Sequence, residues 1–240
     1  MGLGLGLGAS TSGYTPFTLT SVDSLALWLQ NGVGVTAAKW NDSSGNGNHA
    51  LQSDVNKRAT VSGGGLDFER GDEDHYDLTS TITISTNGGF CFAAVITLET
   101  NANNTILSKD AFDQFQVRTV DEFRFRSDDS NVDTDFVFST DGSTFPVSTK
   151  MLILLNRTAG ASNRFSFFKN GTELTPNTDT SSNEAAGENP GGFDLNVLGA
   201  KEGSSQFFDG IMHEVAFWNR SLTSTEIADV NSYLKNFHGL

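Results

Sequence analysis

Residues 90–98 read FCFAAVITL, a stretch with no charge and one hydroxyl. A half-exposed strand alternates apolar and polar residues; this one is apolar at both parities, so both of its faces must be covered. Around it the period of two recurs. Phe115 and Val117, then Phe123 and Phe125, alternate with Gln116, Arg118, Arg124 and Arg126. That pattern predicts two strands with one face in a core and one wet, joined through Val120–Glu122. Met151–Leu155 is a second continuous apolar run, and Phe165–Lys169 leads into Asn170-Gly171, a pair that accepts the positive φ of a tight hairpin. Leu195–Leu198 and Ile211–Trp218 complete the candidate strands, while Thr175–Gly192 reads as a long surface loop. So many strands with so little helix predict an all-β chain folded as a two-sheet sandwich or barrel.

One segment keeps a different period. Thr223 and Glu226 have the spacing of a capping box, and Ile227, Val230, Leu234 and Phe237 follow at helical intervals. Gly239 supplies a left-handed stop. Burying four such side chains is worth roughly 6–10 kcal/mol gross, against about 1 kcal/mol for the cap. Packing therefore decides this helix, which must dock on the sandwich.

Composition narrows the function. Across 240 residues, 15 Lys and Arg against 29 Asp and Glu give a net charge of −14. A phosphate-backbone binder needs clustered cations, and so does an anchor on anionic lipid, so neither nucleic acid nor membrane is an expected partner. The one cysteine, Cys91, excludes a disulfide framework and a cysteine-rich zinc site. It sits inside the apolar run, where a thiol acts as a small hydrophobe. The histidines, His49, His75, His213 and His238, lack zinc-ligand spacing, and most of them read as surface or loop-capping groups.

The chain opens MGLGLGLG, uncharged, without the basic and continuous apolar regions of an export signal. Leu3, Leu5 and Leu7 would share one face of an extended strand. Residues 1–20 thus read as an extended arm that orders on a partner, with a flexible glycine-rich tail as the alternative, and residues 21–240 as the domain.

Three blocks in order resemble the laminin-G-like branch of the concanavalin A-like jelly rolls. They are LALWLQNGVGVTAAKWNDSSGNGNHALQ at 25–52, GLDFERGDEDHYDL at 65–78, and the stretch from FFKNGTEL through LGAKEGSSQFFDGIMHEVAFWNRSLTSTEI at 167–227. The resemblance implies two antiparallel sheets, one concave and one convex, and a jelly-roll connectivity. Within the first block, Trp40 and Leu51 would anchor the ends of the Asp42–Asn48 loop, whose aspartate caps its own downstream amides. The resemblance also implies a rim calcium site, for which Asp42, Asp72 and Asp74 lie in the matching loops, although Gln30 stands where many relatives carry Asp. Hard oxygen ligands suit that ion.

Relatives that act on glycans carry carboxylates paired along one strand, because retaining hydrolysis needs two such groups about 5–5.5 Å apart. Here the strand HEVAFW offers Glu214 alone, and FRFR at 123–126 lacks the central glutamate of the lyase pattern R-x-E-x-R. The expectation is therefore a protein that is not an enzyme. A saccharide would be recognised by planar hydrogen-bonding groups, for which Arg118, Arg124 and Arg126 on the wet side of the central strands are candidates. The competing reading has them offsetting Asp121, Glu122, Asp128 and Asp129. Taken together, the sequence predicts a structural or attachment subunit of a tailed-phage virion (capsid decoration, fibre or tail-associated), held to capsid or other virion proteins by its arm and forming a homo-oligomer. A carbohydrate-binding module attaching to surface glycans is the alternative.

Overall fold

A computed structural model describes residues 16–110, 112–129, 132–139, 144–159, 165–174, 178–179 and 192–240. Its strands, in chain order, are β1 (Leu25–Leu29), β2 (Val35–Thr36), β3 (Lys39–Trp40), β4 (Ala50–Leu51), β5 (Thr60–Ser62) and β6 (Gly65–Phe68). Then come β7 (Tyr76–Ile84), β8 (Phe90–Leu98), β9 (Asn104–Ser108), β10 (Gln114–Val117), β11 (Glu122–Asp129) and β12 (Val132–Ser139). The last are β13 (Lys150–Arg157), β14 (Phe165–Lys169), β15 (Thr172–Leu174), β16 (Thr178–Asp179), β17 (Phe193–Leu198) and β18 (Gly210–Trp218), followed by one helix, α1 (Ser224–His238). An eight-stranded sheet runs β15-β14-β13-β8-β18-β6-β5, with β1 also on β18; a ten-stranded sheet runs β16-β12-β11-β10-β9-β17-β7-β4-β3-β2. The strand pairs are antiparallel, as the two-sheet jelly-roll sandwich requires.

β8 lies at the centre of the smaller sheet, between β13 and β18. Phe90, Phe92, Ala94, Ile96 and Leu98 enter the core between the sheets, and Cys91, Ala93 and Val95 face the other way into a second apolar layer. Both faces are covered, as the sequence demands. The inter-sheet core is largely phenylalanine: Phe90 meets Phe115 at 5.4 Å, Phe125 at 4.9 Å and Phe193 at 5.2 Å between ring centroids. Fully buried Arg157 lies over the Phe90 ring and donates to the Gly88 carbonyl.

The second layer is α1. Thr223 and Glu226 form the reciprocal capping box, and Gly239 closes the helix at φ 69°. Ile227, Val230 and Leu234 are buried against Leu152, Leu154, Cys91 and Ala93. Small residues at 91, 93 and 216 leave room for the helix backbone to approach the sheet. Phe237 departs from the expected stripe and is 51% exposed. At 3.6 residues per turn, Phe237 and His238 flank the stripe of Ile227, Val230 and Leu234 at nearly equal angles, and the histidine takes the inward place because Glu214 meets it there.

His238 uses that place. Its Nε2 is 2.7 Å from Oε2 of Glu214, and Trp28 Nε1 donates to Oε1 of the same carboxylate at 2.6 Å. The His238 and Glu214 side chains are 3% and 2% exposed. A register shift between Met212 and Glu214 turns both His213 and Glu214 toward the helix layer, since Met212 and Val215 stay in the inter-sheet core. His213 meets Thr97 Oγ1 at 2.9 Å, and burial, with Lys150 and His238 nearby, lowers its pKa to about 4. Two of the four histidines are therefore buried structural groups, against the reading of most of them as surface or loop-capping residues. At the other end of the helix, Arg220 grips Glu226 through two bonds of 2.6 and 3.0 Å and takes its pKa down to about 2.

Two boundaries shift. Phe17, Leu19 and Val22 pack into the helix layer and Thr18 caps a short 3-10 turn, so residues 17–20 belong with the domain and not with an arm. Leu3, Leu5 and Leu7 lie outside the described residues. Trp40 anchors the Asp42–Asn48 loop as expected, but Leu51 does not, being 39% exposed on the short two-residue β4.

Placing a carboxylate beneath α1 tests the docking. Ile227→Asp is expected to cost about 3 kcal/mol or more and to lower Tm by roughly 6–12 °C; an unchanged melt would refute it. Acid stability tests the bulge. Because folded His213 titrates near 4 and an unfolded histidine near 6.5, the unfolded chain binds the extra proton between these values, and stability falls as pH drops through that window. Glu226, lowered from 4.5 to about 2, adds a second loss below it. Melts of His213→Gln between pH 7 and 3 should flatten the first window and keep the second; identical slopes in both proteins would contradict the assignment.

Candidate functional site

The face of the ten-stranded sheet that points away from the core is polar, and the β10–β11 hairpin builds its middle. In this hairpin Phe115 pairs with Phe125 and Val117 with Phe123, all four inside the core. Alternation then sends the intervening pairs, Gln114 with Arg126 and Gln116 with Arg124, to the outward side. Gln116 is only 1% exposed there. Its Nε2 donates to Thr105 Oγ1 on β9 at 3.0 Å and to Gln206 Oε1 at 2.9 Å. Gln206 comes from the loop after β17, in a left-handed backbone conformation, and its carbonyl accepts from the Thr105 amide. Phe207 beside it is buried with Val197 and Ala200, which pins the loop to the sheet.

Half-buried Arg126 stacks on Phe112 at 4.3 Å from the ring centroid. Phe112 belongs to the loop joining β9 to β10, which Asp110 tightens by accepting the amides of Phe112 and Asp113. The result is a floor in which a buried layer of carboxamides and a hydroxyl supports the partly exposed guanidinium groups of Arg124 and Arg126, framed by the loops that carry Phe112 and Gln206. Planar, fixed donors of this kind bind and orient a hydroxylated ligand.

At one end of the floor a cavity of about 560 Å³ opens between β7, β17 and the same loop. Lys109 pairs with Asp194, which also accepts from Thr83 Oγ1 at 2.6 Å, while the Asp194 amide donates to Asp113 at 2.8 Å. Burial pushes the Asp194 carboxyl up, but the Lys109 and Thr83 hydrogen bonds outweigh it and hold it below the usual value.

Of the three arginines singled out in the sequence, the structure brings Arg124 and Arg126 onto this floor. Arg118 lies at the hairpin end, 3.8 Å from Glu122, in the charge-offsetting role. The calcium candidates do not converge. Asp42 is consumed by its own loop: Oδ1 accepts from the Trp28 and Ser44 amides, and Oδ2 from Ser44 Oγ and the Asn48 amide. A carboxylate saturated by four donors does not fit a calcium ligand. Asp74 is buried and accepts from the Glu69 amide, and Asp72 is an exposed residue of a 3-10 turn. Among the described residues, the carboxylates that do approach within 4.8 Å of one another are Glu69, Glu99 and Asp209. Burial first, then repulsion from its acidic neighbours, raises Glu69 and Glu99.

Sequence reasoning missed Gln114 and Gln116 as floor residues. Their signal is the alternation QFQV, which places Gln116 on the wet face without marking either glutamine as a site residue. Gln206 carries no such signal, since it reaches the floor from a loop some ninety residues along the chain. Glu214, the one strand carboxylate weighed for catalysis, faces the opposite layer and is occupied by Trp28 and His238.

Comparison with known proteins fits this architecture. No curated protein sequence matches the chain. Among solved structures, the binding domain of Paraclostridial mosquitocidal protein 1 superposes with a TM-score of 0.60 at 15% identity, covering 89% of this chain and 53% of that one. Trypanosoma rangeli sialidase in complex with sialic acid gives 0.56 at 15% identity, covering 90% and 33%. The binding domain of botulinum neurotoxin DC, solved with rat synaptotagmin II, gives 0.52 at 14% identity, covering 88% and 52%. This chain thus spans from a third to a half of those structures, and at such identities they share its fold. Residues 70–228 match the family described as the concanavalin A-like lectin/glucanases superfamily. The chain belongs to that superfamily.

Proposed function

We propose that this chain is a non-catalytic saccharide-recognition domain that binds through the outward face of its ten-stranded sheet. The observation that carries the reading is the pair of half-buried guanidinium groups, Arg124 and Arg126, set on the outward side of β11 beside Gln116, whose buried carboxamide is braced by Thr105 and Gln206. Ordered planar donors spend little side-chain entropy on binding and match vicinal hydroxyls or a sugar carboxylate. The superfamily contains lectins and glucanases alike. Among the floor residues named above, the groups are donors and acceptors suited to holding a ligand, and Glu214 lies on the far side of the sandwich.

The finer reading keeps the domain as the attachment head of a virion subunit. The uncharged Leu/Gly start of the chain and the net charge of −14 support it, the first as an apolar arm for a capsid partner and the second as a solubilising surface.

A glycan array tests the saccharide reading. The protein is expected to select a subset of glycans, and Arg124→Ala or Arg126→Ala to weaken those signals about tenfold, the loss of one charge-assisted contact. An array without hits would overturn it, as would signals that both variants retain.

A further inference from the structure

The residue that left the predicted apolar stripe opens a second site. On the solvent side of α1, Tyr233 and Phe237 lie nearly parallel, with centroids 6.2 Å apart and planes at 21°. Phe17 meets Tyr233 edge-on at 5.9 Å, and Trp28 supports Tyr233 from below at 6.4 Å. Phe17, Tyr233 and Phe237 line a cleft of about 540 Å³ whose other walls are Asp229, Ser232 and Asn236, all exposed. Leaving a phenylalanine half in water, beside another aromatic, is a cost the fold has no structural need for, since His238 already fills the inward position.

We propose that this cleft is a binding site for a neutral saccharide, separate from the polar floor on the other side of the sandwich. A pyranose ring presents an apolar face of C–H groups and an equator of hydroxyls. The former suits the Tyr233 and Phe237 faces, and the latter suits a carboxylate, a carboxamide and a hydroxyl set around them. Charge selects the neutral class: Asp229 stands at the cleft, no lysine or arginine lines it, and the chain carries −14 overall. A sugar acid or sulfate would meet repulsion here, whereas the floor offers guanidinium groups. Phe17 comes from the start of the domain and the other two rings from its last helix, so the cleft is assembled by the tertiary fold.

Affinity electrophoresis of the full chain tests the site, using gels that contain laminarin, galactomannan or xyloglucan, with alginate as the anionic control. Phe237 is exposed, so Phe237→Ala should fold as the parent does, which circular dichroism checks. The expected result is retardation by at least one neutral polymer, reduced tenfold or more by Phe237→Ala and by Asp229→Ala and retained by Phe237→Trp. Absence of retardation in all three neutral gels would overturn the proposal. So would retardation that survives Phe237→Ala but is lost in Arg126→Ala, which would leave the floor as the saccharide site; loss in Phe237→Ala alone would support this cleft and remove the floor. A cleft that ignores every polymer but changes its Phe237 environment when residues 1–15 are deleted would belong to the chain's own amino-terminal segment, and the proposal would fall.

Discussion

The interaction on which this molecule depends is the burial of the outward side of β8 beneath α1. A strand with Cys91, Ala93 and Val95 on one face and Phe90, Phe92 and Ile96 on the other cannot stand at the edge of a two-layer protein. It needs a third layer, and the carboxy-terminal helix supplies it. Three side chains, Ile227, Val230 and Leu234, carry the docking, worth roughly 5–9 kcal/mol gross. The Arg220–Glu226 pair fixes one end of the helix and the His238–Glu214–Trp28 contact the other.

That closure assigns the two polar systems their roles. Glu214 is wholly enclosed; its side chain is tolerable there because Trp28 and His238 meet its two oxygens, and removing either would leave a buried oxygen without its partner. It serves position, not chemistry. On the opposite sheet the glutamines of β10 lie on the outward side but are buried beneath the loops that carry Phe112 and Gln206, while Arg124 and Arg126 of β11 keep part of their surface in solvent. The same sandwich thus seals one face for stability and keeps on the other the guanidinium groups proposed for recognition, while the exposed edge of the sealing helix carries the aromatic cleft.

Much of the fold was legible in the sequence because its signals are local. The apolar run of β8, the alternation of β10 and β11, the Asn170-Gly171 turn and the Thr223–Glu226 cap each follow from neighbours a few residues apart, and each is present. What escaped depends on contacts between distant segments. The bulge that turns His213 inward follows from how β18 meets β8, and the burial of His238 follows from its contact with Glu214 on that strand. The candidate site shows the same division. Arg124 and Arg126 could be placed on a wet face by parity, whereas Gln206 and the cleft partner Phe17 become neighbours of their sites through the tertiary fold alone. Asp42 misled for a related reason: an aspartate in a Gly/Asn-rich loop reads equally as a calcium ligand or as a cap, and the four donors that settle it include the amide of Trp28 from another strand.

Native-state hydrogen exchange measures the central claim directly, since it reports the opening free energy of each segment. If α1 is an integral layer, the amides of Val230–Leu234 exchange with the same opening free energy as those of Phe92–Ile96 beneath them, through global unfolding. Helix amides that exchange orders of magnitude faster than those of β8 would show that the sheet is stable without its cover, and the account built on that cover would fail.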